Sequence, residues 1–273
     1  MLTEIALRVH RLPAETRYEG WFATSFAQGA DALRGLVQEG SAPDVARLSD
    51  EDETRTSLAL AGGSGLVARA FLQARLGSAA PGCLVVVGWA GERDAIGARR
   101  RAASKRLRGA GLAYAGRRPG DAWARARFAG PHLRDDLLDR GALVETLETA
   151  TSWTGLHALR DAVVAALRSA LAPTPPVIGC HVSHLYPTGA SLYVTVLARQ
   201  GADAPAQWRR AKAAALDAIL AAGGTITHHH AVGRDHAPWL EREAGPLGVA
   251  LLRAAKQRVD PAGVMNPGVL LTP

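Results

Sequence analysis

Two stretches of this chain gather the side chains best able to move a proton near neutral pH. His228-His229-His230 sets three imidazoles in a row, and CHVSHLYPTGASLYV, residues 180–194, holds His181, Ser183, His184, Tyr186 and Tyr193. Imidazole titrates close to neutrality and so serves as general acid or base. A phenol, with a pKa of about 10, is a poor base by itself and works when an imidazole shares its proton. A bland reading stands beside this one: a half-buried hairpin in which Tyr193 is a core residue with a satisfied hydroxyl. No metal site is expected. The run Thr225–His230 reads as a strand, where alternate side chains point to opposite faces, so His229 opposes His228 and His230 and the three cannot ligate one ion. Neither a nearby cysteine nor a His-x-x-x-His spacing supports zinc.

Holding those residues in place falls to an alternation of strands and helices. Leu2, Ile5, Leu7 and Val9 suggest an opening strand that stops at Pro13, followed by a strand over 18–24. Apolar residues at helical spacing predict a helix over 27–38, closed by Gly40, and another over 66–76. The continuous apolar run 83–87 fits a strand buried on both faces. The run 50–57, DEDETRTS, is polar, and 116–131 is a Gly/Pro-rich stretch. A strand over 143–149 and a helix over 155–171 precede the hairpin 177–186 and 190–199, which turns at Pro187-Thr188-Gly189. An Ala-rich helix over 208–222 is capped by Gly223-Gly224, and a further helix covers 247–258. The order predicts an α+β fold, an antiparallel sheet with helices packed on one face, ferredoxin-like, plus a helical C-terminal segment.

Composition narrows the class. With 48% hydrophobic and 21% charged residues, the 273-residue chain can bury a sizeable core. No run of eighteen apolar residues is present and the start lacks the design of a signal peptide, so a cytoplasmic location is expected. Two cysteines are too few for a disulfide framework. The net charge of +7 raises nucleic acid as a partner. Much of the excess lies in Arg99, Arg100, Arg101, Lys105, Arg106 and Arg108, spread around one helix with no interleaved aromatics, so a solvated basic face is the reading and no nucleic acid is expected. An anionic membrane surface or a phosphorylated substrate remains compatible with that charge. Gly62-Gly63-Ser64-Gly65 has neither the Lys-Ser/Thr of a phosphate loop nor a dinucleotide fingerprint around it, and reads as a helix-capping loop.

Four segments and the ending resemble a known family. They are RYEGWF (17–22), PHLRDDLLDRGALVETLETATSW (131–153), SHLYPTGASLY (183–193), GGTITHHHAVGRDHAPWL (223–240) and DPAGVMNPGVLL (260–271). Together they are similar to the C-terminal cap domain of FAD-linked oxidases, of the vanillyl-alcohol-oxidase type, and within it to the alkylglycerone-phosphate synthase branch. The resemblance implies FAD as cofactor, held mostly by an N-terminal domain not seen in this sequence. It implies residues 1–13 as the last strand of that domain, 14–240 as the substrate-binding cap, and 241–273 as a helical tail returning towards the flavin domain. The implied reaction exchanges the acyl group of an acyl-dihydroxyacetone-phosphate for a fatty alcohol through a flavin N5 adduct. By motif position, Tyr193, His228, His229 and His230 correspond to the acid/base residues, and Arg134 to the substrate-phosphate contact, with His184 beside the substrate. His229 and Asn266 are the expected cofactor contacts. Expected partners are a phosphorylated or lipid-like small molecule, the flavin domain in cis or in trans, a peripheral membrane contact, and a second copy of the chain in a homo-oligomer.

The sequence also departs from that branch. Ala231 stands where it usually has glycine, and His181 and His184 replace other polar residues. One alternative is an FAD-dependent 2-hydroxy-acid dehydrogenase or oxidase cap, which shares the DPxGxxNPG ending but shows Gly-Glu-His-Gly where this chain has Thr-His-His-His-Ala. Another is an inactive isolated cap acting as a binding module.

Overall fold

The computed structural model describes residues 3–60, 73–74 and 82–271. Seven strands form one antiparallel sheet: β1 (Glu15–Ala23), β2 (Val45–Ser49), β3 (Cys83–Gly91), β4 (Ala113–Gly116), β5 (Ala142–Ser152), β6 (Val177–Leu185) and β7 (Gly189–Arg199), in the order β4-β1-β3-β2-β6-β7-β5. Interspersed are the helices α1 (Phe26–Gln38), α2 (Glu51–Leu60), α3 (Arg93–Gly109), α4 (Arg118–Ala126), α5 (Gly130–Leu138), α6 (Leu156–Ala170), α7 (Ala204–Ala221) and α8 (Ala237–Val259). The fold is the expected α+β arrangement. Of the helix expected over 66–76 only residues 73–74 are described, and both are helical, while the glycine-rich loop at 62–65 lies outside the described residues.

Pairing register sorts the two faces of the sheet. Trp21, Val85, Leu48, Val182, Leu192 and Thr149 are successive cross-strand neighbours. All six are fully buried. Helices α1, α3, α6 and α7 cover this face: Arg108 of α3 lies over Trp21 at 5.6 Å, and Gly29 of α1 meets Leu48. Burying side chains of this size stabilises by about 1.5–3 kcal/mol each. One residue along each strand, side chains turn to the other face. There the corresponding row is polar: Ser49, His181, Tyr193 and Glu148.

One segment departs from the sequence reading, and two others take a form that it left open. Residues 3–13 form no strand and remain exposed, with Leu7 at 79% and Leu12 at 93%. A strand persists only where a neighbour takes its backbone hydrogen bonds, and none of the described strands pairs with this one. The polar run 50–57 is helical because Asp50 caps it, accepting from the Glu53 amide at 2.8 Å, while Glu51, Asp52 and Glu53 fill the first turn. The Gly/Pro-rich stretch supplies the end of β4, then α4 and α5. Gly120 allows this, since a Cβ there would sit 2.5 Å from the Glu19 amide nitrogen. Helix α8 begins at Ala237 and runs through residue 240, with a kink where Gly245 adopts φ 73° ahead of Pro246.

Candidate active site

The hairpin β6–β7 and strand β5 aim one carboxylate at the open polar face. Glu148 is buried, at 6% exposure, and collects its partners from three parts of the chain. Ser183 Oγ donates to its Oε1 at 2.8 Å, and His228 Nδ1 lies 3.2 Å from the same oxygen. His184 Nδ1 approaches Oε1 and His230 Nε2 approaches Oε2, both at 3.4 Å. Burial alone would raise the Glu148 carboxyl, but the Ser183 hydrogen bond and the His228 contact outweigh it and hold the group below its usual range. It is therefore an anion at neutral pH, ringed by imidazoles. His184 is pushed the other way, towards the neutral form, by burial, with Glu148 opposing and the neighbouring His229 and His228 adding to the push.

Thr225–His230 does not form the expected strand. It runs beside β5, where Thr225 N donates to Ala150 O at 3.0 Å and His228 N to Glu148 O at 3.1 Å, and then turns away. His229 and Ala231 take φ 58° and 64°, a left-handed backbone that breaks strand geometry and costs about 1 kcal/mol for a residue with a Cβ. Strand alternation therefore does not hold: His229 stacks on His228 at 4.0 Å and meets His184 edge-on at 4.5 Å. His184, His228 and His229 lie close enough to surround an ion. Their ring nitrogens lie within 4.8 Å of one another, and His228 as it stands bonds Tyr186 through Nε2 and Glu148 through Nδ1.

Two phenols approach the cluster differently. Tyr186, one of the two hairpin phenols singled out in the sequence, has its hydroxyl 3.0 Å from His228 Nε2. Tyr193 meets His230 edge-on, with ring centroids 5.5 Å apart, and its other flank is stacked on His181 at 4.9 Å. His181 is fixed in turn: its Nδ1 is 2.9 Å from Glu53 Oε1, and Arg47 donates to the same Glu53 oxygen at 2.8 Å while reaching His181 Nε2 at 2.9 Å. Burial would raise the Glu53 carboxyl, yet His181 and Arg47 beside it hold it at about 2, while burial pushes His181 itself towards its neutral form. The ordinary value is 4.5, so this contribution to stability is complete above pH 4.5 and is lost as pH falls through 2. Thermal unfolding followed from neutral to acid pH should show that loss in the native chain and a smaller one in Glu53→Gln. Equal acid profiles would remove the anchoring role.

Arg134 stands apart from this cluster. It is 43% exposed and bonds Glu145 Oε1 at 3.0 Å. Glu145 and Glu148 are three residues apart on β5, so they point to opposite faces. The structure thus joins His184, His228 and His230 around Glu148, stacks His229 on His228, and leaves Arg134 paired with Glu145 away from the cluster. Beside His184, a cavity of about 460 Å³ is lined by Val45, Arg47, Trp123, Ser183, Leu185 and Tyr186, among others.

The family described as FAD linked oxidases, C-terminal domain, matches residues 12–270. This chain belongs to the FAD-linked oxidase C-terminal domain family. Its relatives include alkyldihydroxyacetonephosphate synthases from Trypanosoma brucei brucei, 31% identical, and Dictyostelium discoideum, 30% identical. Each match covers 99% of this chain but 46% of the relative, so the chain spans less than half their length. Among solved structures, an alkyldihydroxyacetonephosphate synthase superimposes with a TM-score of 0.73 at 25% identity, over 94% of this chain and 45% of that one. A p-cresol methylhydroxylase shares the fold, with a TM-score of 0.54 at 14% identity.

As an FAD-linked oxidase C-terminal domain, the chain offers suitable chemistry for a flavin ring edge. His229 and His230 are exposed at the open face, and Thr227 Oγ1 is buried beside them without a hydrogen-bond partner. Asn266 is exposed on a tail that is tied to the segment after the histidines, through Leu270 N to Gly233 O at 2.9 Å and Arg234 to Pro267 O at 3.0 Å. Glu148 was missed as a site residue. The available signal was an acidic residue inside an otherwise half-buried strand, and the hairpin that sets it opposite Tyr193.

Proposed function

We propose that this chain is the substrate-binding part of an FAD-dependent enzyme of the alkylglycerone-phosphate synthase type. In that reaction an acyl-dihydroxyacetone-phosphate gives up its fatty acid and takes a fatty alcohol, with no net redox change. The observation that supports this most is the ring of three imidazoles, His184, His228 and His230, on buried Glu148, with Tyr186 on His228 and Tyr193 beside His230. Exchange requires a proton to leave the incoming alcohol and one to reach the departing acid. An anion-backed imidazole cluster can take the first and give the second. FAD, when bound, would supply an electron-accepting ring, with His229 and Asn266 as its contacts and His230 beside them. His184, which lines the cavity, contacts the substrate, and the apolar walls at Val45, Trp123 and Leu185 suit an aliphatic tail. Arg134 anchors the phosphate, since a guanidinium fork holds two phosphate oxygens. To do so it must leave Glu145, an exposed pair contributing under about 1 kcal/mol.

The flavin is held mostly by a second domain, in cis or in trans. No helix of the described residues is long and apolar enough to cross a membrane. The test joins the chain to a flavin-binding domain of a synthase relative and follows release of labelled fatty acid in the presence of fatty alcohol. Alcohol-dependent release is expected, with the chain by itself colourless and inactive. Arg134→Lys should lower kcat/KM sharply in the joined protein. Dye reduction by a 2-hydroxy acid without acid release would instead make it a dehydrogenase cap, and an inert joined protein would leave only a binding module.

A further inference from the structure

Helix α8 reaches the histidine loop through a carboxylate that the proton chemistry does not use. Glu243 accepts from Thr225 Oγ1 at 2.6 Å with one oxygen and from Ile226 N at 2.8 Å with the other. These donors lie three and two residues ahead of His228. The other side of the same stretch is held by β5: Thr225 N and His228 N donate to Ala150 O and Glu148 O, and Thr149 Oγ1 donates to Thr225 O at 2.6 Å. The Ile226 amide is thus turned to α8 rather than to β5, while its side chain is buried. Glu243 is braced in turn. Trp239 and Arg242, on the same turns of α8, both bond Asp217 of α7, and α7 buries Ala211, Ala215, Leu216 and Ile219. Immediately beyond His228 the backbone enters the left-handed turns at His229 and Ala231. Such turns persist only where the surroundings fix the chain on either side. A hydrogen bond to an ionised acceptor is about twice as strong as a neutral one, so Glu243 is well suited to that task.

We propose that Glu243 is a positioning residue for the imidazoles: from α8 its carboxylate fixes residues 225–226 so that His228 meets Glu148 on one side and Tyr186 on the other. It touches none of the reacting groups and acts through two donors of the loop. Held between β5 and α8, the loop cannot slide along the sheet edge, and a shift of about 1 Å at a catalytic group is enough to cost a large part of a rate. A bond that merely added stability would make a different prediction, a lower melting temperature with His228 unmoved. The part played in turnover rests on the proton-transfer reading above, whereas the positioning is a property of this chain by itself.

The test is nitrogen-15 spectroscopy and amide hydrogen exchange of the full chain. In Glu243→Ala the Ile226 and His228 amides should exchange on the order of tenfold faster. The His228 ring nitrogens should shift, as their contacts with Glu148 at 3.2 Å and Tyr186 at 3.0 Å loosen. Glu243→Gln keeps one acceptor oxygen of the two and should show smaller changes of the same kind. Glu241→Gln is the control, because Glu241 is exposed on the same helix and has no partner among the described residues. In the joined enzyme, Glu243→Ala should lower kcat about tenfold with KM nearly unchanged. If Glu243→Ala does not fold, Glu243→Gln carries the test. His228 unmoved in a folded Glu243 variant, or moved equally by Glu241→Gln, overturns the proposal. The spectra need neither flavin nor turnover, so their failure leaves the exchange reading standing, and loss of that reading leaves the positioning standing.

Discussion

Glu148→Gln is expected to lower turnover of the joined enzyme by about a hundredfold or more, the scale of a disabled acid/base group. The amide keeps the shape but removes the negative charge that, among the described residues, pairs with His184, His228 and His230. An imidazolium formed during turnover then has no counter-ion, and the amide's added N–H groups face imidazole nitrogens that were donors. Glu148→Asp keeps the charge on a shorter arm and should recover part of the rate. Nitrogen-15 shifts of His228 should move in the Gln variant, since its Nδ1 loses the oxygen at 3.2 Å. Wild-type turnover in Glu148→Gln would mean that the carboxylate only fills space.

Tyr193→Phe should lower kcat by about a hundredfold with little change in melting temperature. The ring keeps its stack on His181 at 4.9 Å and its edge contact with His230 at 5.5 Å, so only the hydroxyl is lost. Tyr186→Phe is the decisive comparison, because that hydroxyl is the one bonded to an imidazole, His228, at 3.0 Å. A large kcat loss in Tyr193→Phe and a smaller one in Tyr186→Phe makes Tyr193 the acid/base phenol. The reverse order moves that role to Tyr186, and full activity in both removes phenols from the proton path.

Much of this fold could be read from local pattern, because helices and hairpins are written within a few residues of one another. The apolar spacing of 27–38 and the Pro187-Thr188-Gly189 turn needed no distant partner to be recognised. The site was legible as a set of residue types but not as a geometry. Glu148 is bonded by Ser183, 35 residues away, and by His228, 80 residues away, and no window of sequence contains both. The histidine run looked like a strand because Thr-Ile-Thr favours one, yet the left-handed turns at His229 and Ala231 respond to the packing of that loop on β5. Ala231, marked in the sequence as a departure from glycine, occupies one of those two turns. The opening residues alternate like a strand but meet no neighbour among the described strands, a condition that lies outside their own sequence.

The two hydrogen bonds that tie the histidine loop to β5 also bear on solubility. Strand β5 ends the sheet, so its outer backbone groups would otherwise form an open template for a strand of another molecule. Thr225 and His228 occupy two of its carbonyls, at Ala150 and Glu148, and the loop turns away before it can offer an edge of its own. The segment that carries the imidazoles is thus also the guard of one edge of the sheet. A variant that lengthens or loosens residues 224–231 would become prone to intermolecular strand addition as well as losing its proton chemistry.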